Sequence, residues 1–141
     1  IGRPGWNTDA LQQRIRRHPR HGERLFWLDR VDDTALRAAY SQCRMAIVPS
    51  LAEGYGLPLD EALALGAPVL ARDIPVFRRH GASGIRFFAE TARAAEIAAA
   101  IVAAHAGPRL TPDKRTLASW QQTTRQCLTA IGCARSDASG Q

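Results

Sequence analysis

The chain has 141 residues, of which 45% are hydrophobic and 23% charged, and a net charge of +6. This length supports one folded domain and excludes a two-domain enzyme with an interdomain cleft. The sequence has no run of about 18 apolar residues, the length that a membrane-spanning helix needs. It opens on Ile1-Gly2-Arg3-Pro4-Gly5, an apolar residue running into a Gly/Pro turn, so we expect a piece of a longer chain.

Arginine supplies nearly all of the positive charge, because Lys114 is the one lysine among 19 basic residues. The densest cluster comes early in the chain and consists of Arg14, Arg16, Arg17, Arg20 and Arg24. No groove-reading helix, stacking aromatic residues or zinc module accompanies it, so we expect no nucleic-acid binding. A solvated helix face is the first interpretation of the cluster, and contact with an anionic membrane surface is the second.

Cys43, Cys127 and Cys133 are odd in number and lack Cys-x-x-Cys spacing. This pattern speaks against a disulfide framework and against a zinc site. Free thiols fit a reducing compartment, so the sequence predicts a cytoplasmic location.

Short apolar runs alternate with amphipathic segments of helical length, the pattern of an α/β fold. In chain order, the first half predicts a helix capped by Asn7 or Thr8 that ends before Pro19, a strand at 25–28, a helix capped by Asp32 or Asp33, a strand at 45–48, a helix at 57–65 and a strand at 68–71. Pro58 at the first position of its helix and Gly66 just past its end are the expected start and stop residues.

The second half continues the alternation more weakly, with a short helix at 76–80, a strand at 85–88, an alanine-rich helix at about 91–105 and a final helix at 112–131. We expect one domain over residues 1–131 and a disordered tail at 132–141. Strands separated by helices form parallel sheets with right-handed crossovers, in which ligands bind beyond the carboxyl ends of the strands.

The loop after the strand at 45–48 is the most informative segment. Gly54 and Gly56 allow backbone N–H groups to approach a ligand closely, and these groups lie beside a helix N-terminus. Unpaired donors and a partial positive charge at that terminus suit an anion. The predicted occupant is a phosphate or diphosphate.

Glu53 in the loop and Glu61 in the helix have seven residues between them and can face one crevice. Carboxylates repel a diphosphate, so their partners are neutral donors such as sugar hydroxyls. This favours a nucleotide sugar, with Glu61 on the ribose diol and Glu53 on the transferred sugar. On spacing alone, an equal alternative is a solvated loop acid and a helix N-terminal acid that, like Asp60, complements the helix dipole.

The segment Pro49-Ser-Leu-Ala-Glu-Gly-Tyr-Gly-Leu-Pro-Leu-Asp-Glu-Ala62, followed by Gly-Ala-Pro-Val at 66–69, resembles the donor-site segment of retaining glycosyltransferases of the family 4 type. These enzymes have the GT-B architecture of two Rossmann-like domains. The resemblance covers most of residues 1 to about 130, and Trp120 is similar to a tryptophan of the closing helix. It implies the C-terminal, donor-binding half of a GT-B fold, an α/β domain with a Rossmann-like parallel sheet, whose first strand falls outside this sequence.

In that family the two acids of a Glu-x7-Glu element match Glu53 and Glu61. The resemblance implies that Glu53, the catalytic candidate, contacts the donor sugar hydroxyls and that Glu61 contacts the ribose. The resemblance also implies that the diphosphate and sugar are bound by backbone groups of Gly54, Tyr55, Gly56 and Leu57. Retention by front-face attack needs no enzyme nucleophile, so catalysis rests on positioning and electrostatic stabilisation. No metal and no cofactor besides the nucleotide-diphosphate sugar substrate is expected.

The sequence departs from the family pattern in three ways. The Arg-x5-Lys pair that neutralises the diphosphate in the family lies upstream of Ile1, as does the acceptor domain, so we expect no transferase activity from this chain alone. Arg3 or Arg72 is a candidate for part of the missing charge, although a plain surface arginine is the preferred interpretation of each. The run Arg78-Arg79-His80 departs from relatives that commonly have a glutamate after the arginine, and we expect a structural role for His80.

The sequence as a whole predicts the donor-binding part of a retaining glycosyltransferase. The enzyme is expected to transfer a sugar from a nucleotide-diphosphate sugar to a glycan or lipid-linked acceptor in cell-surface polysaccharide synthesis. Its expected location is the cytoplasm, at the inner face of the membrane. A sugar-nucleotide epimerase or a phosphorylase fits the motif less well, and the non-enzyme alternative is a truncated module that binds a nucleotide or a partner chain. Without the first strand, the strand at 45–48 is left unpaired on one side or must pair with another partner, and an exposed edge favours self-association.

Overall fold

The computed structural model describes residues 1–81, 83–113 and 120–131. In these ranges a three-stranded parallel sheet packs between helices, which confirms the predicted α/β class. The elements are α1 (Asp9–Arg16), α2 (Asp33–Gln42), β1 (Ala46–Val48), α3 (Leu57–Ala64), β2 (Val69–Arg72), α4 (Pro75–Arg78), β3 (Ile85–Phe88), α5 (Ala94–Ala106) and α6 (Trp120–Ala130).

The sheet has the order β1-β2-β3, and both pairs of neighbouring strands are parallel. Ile47 lies opposite Leu70, and Ala71 lies opposite Phe87. The three apolar runs predicted as strands at 45–48, 68–71 and 85–88 are therefore strands, with their ends displaced by at most one residue.

The sheet packs against helices through two apolar clusters, one on each face. Both faces are apolar because successive side chains of β2 point to opposite sides. On one face, buried residues of the strands pack with α3 and α4, namely Val48, Leu59, Leu63, Val69, Ile74, Phe77 and Ile85. On the other face, Leu70 and Phe88 pack against Ala104 of α5. Each large apolar side chain buried in this way contributes about 1.5–3 kcal/mol of transfer free energy.

The helix ends follow the predicted signals in α2 and α3 but not in α1. Asp32 caps α2, because its Oδ1 accepts a 2.7 Å hydrogen bond from the Ala35 N–H. Pro58 lies in the first turn of α3, and Gly66 follows the end of that helix at φ 78°. Thr8 precedes α1, but its hydroxyl donates to the Gly5 carbonyl at 2.7 Å, so the predicted side-chain cap by Thr8 is wrong.

The prediction of a strand at 25–28 is also wrong. Leu25 forms only an isolated bridge with His21, and Phe26 and Leu28 are 61% and 46% exposed. Gly2 is hydrogen-bonded to this segment through its N–H, which donates to the Leu28 carbonyl at 2.9 Å. A strand needs a ladder of such bonds along a neighbour, and one contact with the opening segment does not provide it.

Among the described residues, β1 pairs with β2 alone, so one edge of β1 has no strand beside it, as predicted. Ile47 in the middle of β1 is accordingly 42% exposed. No helix in the described part of the chain is long and apolar enough to cross a bilayer. The prediction that the last helix begins at residue 112 is wrong, because Pro112 and Asp113 are not helical. Residues 114–119 and the predicted tail at 132–141 lie outside the described residues.

Candidate functional site

The loop at 49–56 leads from the carboxyl end of β1 into the N-terminus of α3. It therefore lies at the edge of the sheet where ligands of parallel α/β folds bind. The predicted sequence of strand, glycine-containing loop and helix is present in the structure.

Gly56 occupies a position that only glycine fits. Its backbone is in the left-handed region, with φ 94° and ψ 36°. A Cβ built on it meets a ring carbon of Phe77 at 3.0 Å and the His80 Nε2 at 3.3 Å. Gly54, by contrast, has open space where a Cβ would stand. The end of the loop is thus seated closely on α4 and on the residues that follow it.

Glu53 is half-buried in the loop, and the Ser50 hydroxyl donates a 2.8 Å hydrogen bond to its Oε1. This bond spans the first turn of the loop and orients the carboxylate. An ionised carboxylate has four lone-pair sites on its two oxygens, so one bond from Ser50 leaves capacity for hydroxyl donors. The sequence did not point to Ser50, because a serine after a strand is an ordinary loop residue.

Glu61 is half-buried on α3 and faces α2. Burial raises the pKa of Tyr40 on α2, and the negative charge of Glu61 raises it further. Tyr40 and Ser50 both line a groove of about 420 Å³, together with the residues of β1 and Pro58. Each acid therefore neighbours a lining residue of this groove, Glu53 through Ser50 and Glu61 through Tyr40.

Asp60 and His80 form a buried pair beneath the loop. The Asp60 Oδ1 lies 2.7 Å from the His80 Nδ1, and the His80 Nε2 lies 2.9 Å from the Tyr55 carbonyl oxygen. The Tyr55 ring meets the imidazole edge-on at a centroid distance of 5.4 Å. These contacts fit the structural role predicted for His80, but Asp60 is more than a dipole-complementing acid. No sequence signal could pair Asp60 on α3 with a residue twenty positions later, in the turn that follows α4.

Arg72 is buried at the carboxyl end of β2, so its interpretation as a plain surface arginine is wrong. Its Nε donates to the Pro49 carbonyl at 3.1 Å, and its Nη1 donates to the Glu90 carbonyl at 2.6 Å. The guanidinium thereby joins the segments that follow all three strands and supports the start of the loop. Arg3 lies exposed in the opening segment.

The chemistry that this site offers is hydrogen bonding by carboxylates and by backbone N–H groups. Within residues 1–81, 83–113 and 120–131, no three His, Cys, Asp or Glu side chains are grouped to hold a metal ion. Cys43 is a free thiol whose pKa is raised by burial, and its Sγ donates to the Tyr40 carbonyl at 3.3 Å. A buried thiol with a raised pKa is a poor nucleophile.

Comparison with known proteins adds evidence that is independent of this geometry. The family model described as glycosyl transferases group 1 matches residues 1–106. The serotype-specific mannosyltransferase WbdA of Escherichia coli is 35% identical over 133 residues, which is 91% of this chain and 16% of WbdA. O-antigen chain mannosyltransferase B of Escherichia coli is 37% identical over 73 residues, 52% of this chain and 19% of that protein.

A third relative, the O-antigen chain mannosyltransferase RfbU of Salmonella typhimurium, is 38% identical over 55 residues, 39% of this chain and 16% of RfbU. The matched stretches therefore span less than a fifth of the length of each of these relatives. No solved structure matches it. Because the family model covers most of the chain, including the whole of the loop and α3, the chain belongs to the group 1 glycosyl transferases.

Proposed function

We propose that this chain is the donor-binding part of a glycosyltransferase that transfers a sugar with retention from a nucleotide-diphosphate sugar to a glycan or lipid-linked acceptor. One observation carries the proposal. The loop between β1 and α3 holds Glu53 through Ser50, while the charge of Glu61 on the helix that follows acts on Tyr40, and Ser50 and Tyr40 both line the groove. Two acids that flank a glycine loop at the carboxyl edge of a parallel sheet suit a ligand with both hydroxyls and phosphates.

The proposed roles follow from what each group can bind. Glu53 accepts hydrogen bonds from the transferred sugar, and Glu61 accepts them from the ribose diol. Backbone groups of Gly54, Tyr55, Gly56 and Leu57 hold the diphosphate and sugar. The diphosphate lies near the N-terminus of α3, whose orphan N–H groups and partial positive charge stabilise the departing anion. The chain contributes position and electrostatics, and its own residues supply no covalent nucleophile to the reaction.

The transferred sugar in this proposal is mannose, and the pathway is the synthesis of a cell-surface polysaccharide. The names of the relatives support both choices, since three of them are described as mannosyltransferases and two of these as O-antigen chain enzymes. The acceptor binds to a part of the enzyme outside this sequence. We therefore expect residues 1–131 to bind donor as one domain but to transfer no sugar.

Calorimetric titration of the chain with GDP-mannose tests the donor role, with UDP-glucose as the competing donor. We expect saturable binding of GDP-mannose, and at least tenfold weaker binding by Glu61→Ala, because each hydrogen bond from the diol to the carboxylate contributes about 1.5–3 kcal/mol. Glu23→Ala is the matched control, because it removes an equal charge from an exposed pair with Arg20. Equal binding by Glu61→Ala and the wild type contradicts the role of that carboxylate.

The same titration separates the alternative function, a non-catalytic module that binds a partner chain. If neither GDP-mannose nor UDP-glucose binds at millimolar concentration, the module is favoured over the donor-binding domain. Preferential binding of UDP-glucose supports a nucleotide-sugar site but contradicts mannose as the transferred sugar.

We place the enzyme in the cytoplasm, in peripheral contact with the inner face of the membrane. The arginine cluster of α1 and the following turn is exposed, and the neighbouring Trp6 is 95% exposed. An exposed cluster of arginines with an interfacial tryptophan suits an anionic lipid surface. Flotation with vesicles that contain phosphatidylglycerol tests this contact, and equal recovery with neutral vesicles contradicts it.

Self-association is the remaining proposal, through the free edge of β1. An edge strand presents unpaired N–H and C=O groups that can pair with a second copy. Sedimentation velocity over a range of concentrations tests it. We expect a dimer that Ile47→Pro abolishes, since proline removes a ladder donor from this position.

A further inference from the structure

The pair formed by Asp60 and His80 does more than fill space under the loop. Both side chains are nearly buried, at 10% and 9% exposure. The imidazole bridges two elements, because one ring nitrogen faces the Asp60 carboxylate on α3 and the other faces the Tyr55 carbonyl in the loop. Neither residue is among the proposed contacts to the ligand.

With Asp60 ionised, hydrogen-bond counting identifies the donors of both bonds. A backbone carbonyl can only accept, and so can an ionised carboxylate. When both bonds are made in this way, Nδ1 and Nε2 of His80 must each carry a proton. The ring is then an imidazolium, and Asp60 is its counter-ion in a site largely shielded from water. Charge-assisted bonds of this kind are stronger than bonds between neutral groups.

The bond to Tyr55 also determines where the next N–H group points. A trans peptide is planar, with its C=O and its N–H directed to opposite sides. The described residues contain no cis peptide bond. Because the Tyr55 carbonyl is directed at His80, the Gly56 N–H of the same peptide is directed away from His80.

The other side of Gly56 is fixed as well. Its carbonyl accepts hydrogen bonds from the Leu59 and Asp60 N–H groups, at 3.0 and 3.2 Å. The carbonyls on both sides of the Gly56 α-carbon are therefore held, one by His80 and one by the first turn of α3. The left-handed conformation of Gly56 lies between two anchored peptides.

From this arrangement we infer that Asp60 and His80 are a positioning pair, which holds the Tyr55 peptide so that the Gly56 N–H points at a phosphate oxygen of the donor. The diphosphate as ligand rests on the proposed function, whereas the ionic pair and the peptide orientation do not. Among the described residues, the Tyr55 ring and the Asp60 carboxylate both contact the imidazole. His80 acts through the loop backbone and does not itself touch substrate.

The ring nitrogens of His80 give a test that needs no ligand. In ¹⁵N-labelled wild-type protein at pH 7, we expect both His80 nitrogens to show the shifts of protonated imidazolium. In Asp60→Asn, the amide still accepts from Nδ1 but no longer balances a positive charge, so we expect one unprotonated nitrogen. His105, exposed in the last turn of α5, is the internal reference. A single protonated nitrogen in the wild type overturns the ionic pair, and this measurement stands even if a variant fails to fold.

Titration with GDP then tests the positioning role. We expect the Gly56 amide resonance to shift on binding, and Asp60→Asn and His80→Gln to bind about tenfold more weakly, the equivalent of one lost hydrogen bond. His105→Gln is the control. Unchanged affinity in folded Asp60→Asn and His80→Gln overturns the positioning role. A doubly protonated His80 in a protein that binds no nucleotide supports the ionic pair and contradicts the proposed function, so the two failures are distinguishable.

Discussion

Replacement of Gly56 by alanine separates the two reasons that the structure gives for glycine at the end of the loop. The first is conformational, because holding a non-glycine residue at φ 94° costs about 1–2 kcal/mol. The second is steric, because the new Cβ approaches the fully buried Phe77 ring at 3.0 Å, and overpacking of this kind costs about 1–3 kcal/mol. Gly56→Ala should therefore lower the free energy of unfolding by about 2–5 kcal/mol.

Gly66→Ala is the matched control for the first reason. Gly66 lies just past α3 at φ 78°, and nothing lies within 4 Å of the position of its Cβ. Its replacement should cost only the conformational part, about 1–2 kcal/mol. The reduced entropy of the unfolded chain affects both variants alike and cancels in the comparison. The difference between them, about 1–3 kcal/mol, measures the contact with Phe77.

Urea unfolding followed by circular dichroism gives both free energies, provided that the slope with urea is unchanged. Gly54→Ala completes the series, since its φ is not in the positive region and its Cβ meets open space. We expect its free energy of unfolding to stay within about 0.5 kcal/mol of the wild type. If Gly56→Ala costs no more than Gly66→Ala, the loop does not sit on Phe77 as described and the close seating of the site is refuted.

Three further predictions concern the surroundings of the loop. Arg72→Met should lower the free energy of unfolding by about 2–5 kcal/mol, because it leaves two backbone carbonyls without their charged donor. Urea unfolding measures this free energy, and a loss below about 1 kcal/mol contradicts the supporting role of Arg72. The hydrogen bond from Arg78 lowers the pKa of Asp73, so Arg78→Ala should raise that pKa toward its ordinary value in an NMR titration. Because a lowered native pKa contributes stability that is lost as pH falls through it, this variant should also lose less stability on acidification than the wild type. Glu61→Gln should lower the pKa of Tyr40 only in part, because burial is the larger cause of its elevation, and an unchanged pKa means that Glu61 does not face α2.

The strands and helices were predictable wherever local pattern and tertiary packing agree. β2 and β3 are short apolar runs that the sheet buries, and α3 carries its own start and stop residues in Pro58 and Gly66. The segment at 25–28 has the same apolar pattern but forms no strand, because no ladder partner lies along it. A strand is stabilised by its neighbours, which a single-sequence pattern does not contain.

The candidate site shows the same division. The sequence by itself determined the chemistry of the loop, with Glu53, Glu61 and two glycines between a strand and a helix, because residue types and short-range spacing specify which groups a loop can offer. Only the tertiary structure decided how that loop is held. Ser50 orients Glu53, Arg72 holds the start of the loop, and His80 with Asp60 holds its end. Ser50 lies within the loop, but Arg72 and His80 come from later parts of the chain. Their pairing with the loop is set by how the elements pack, which no local pattern in the chain records.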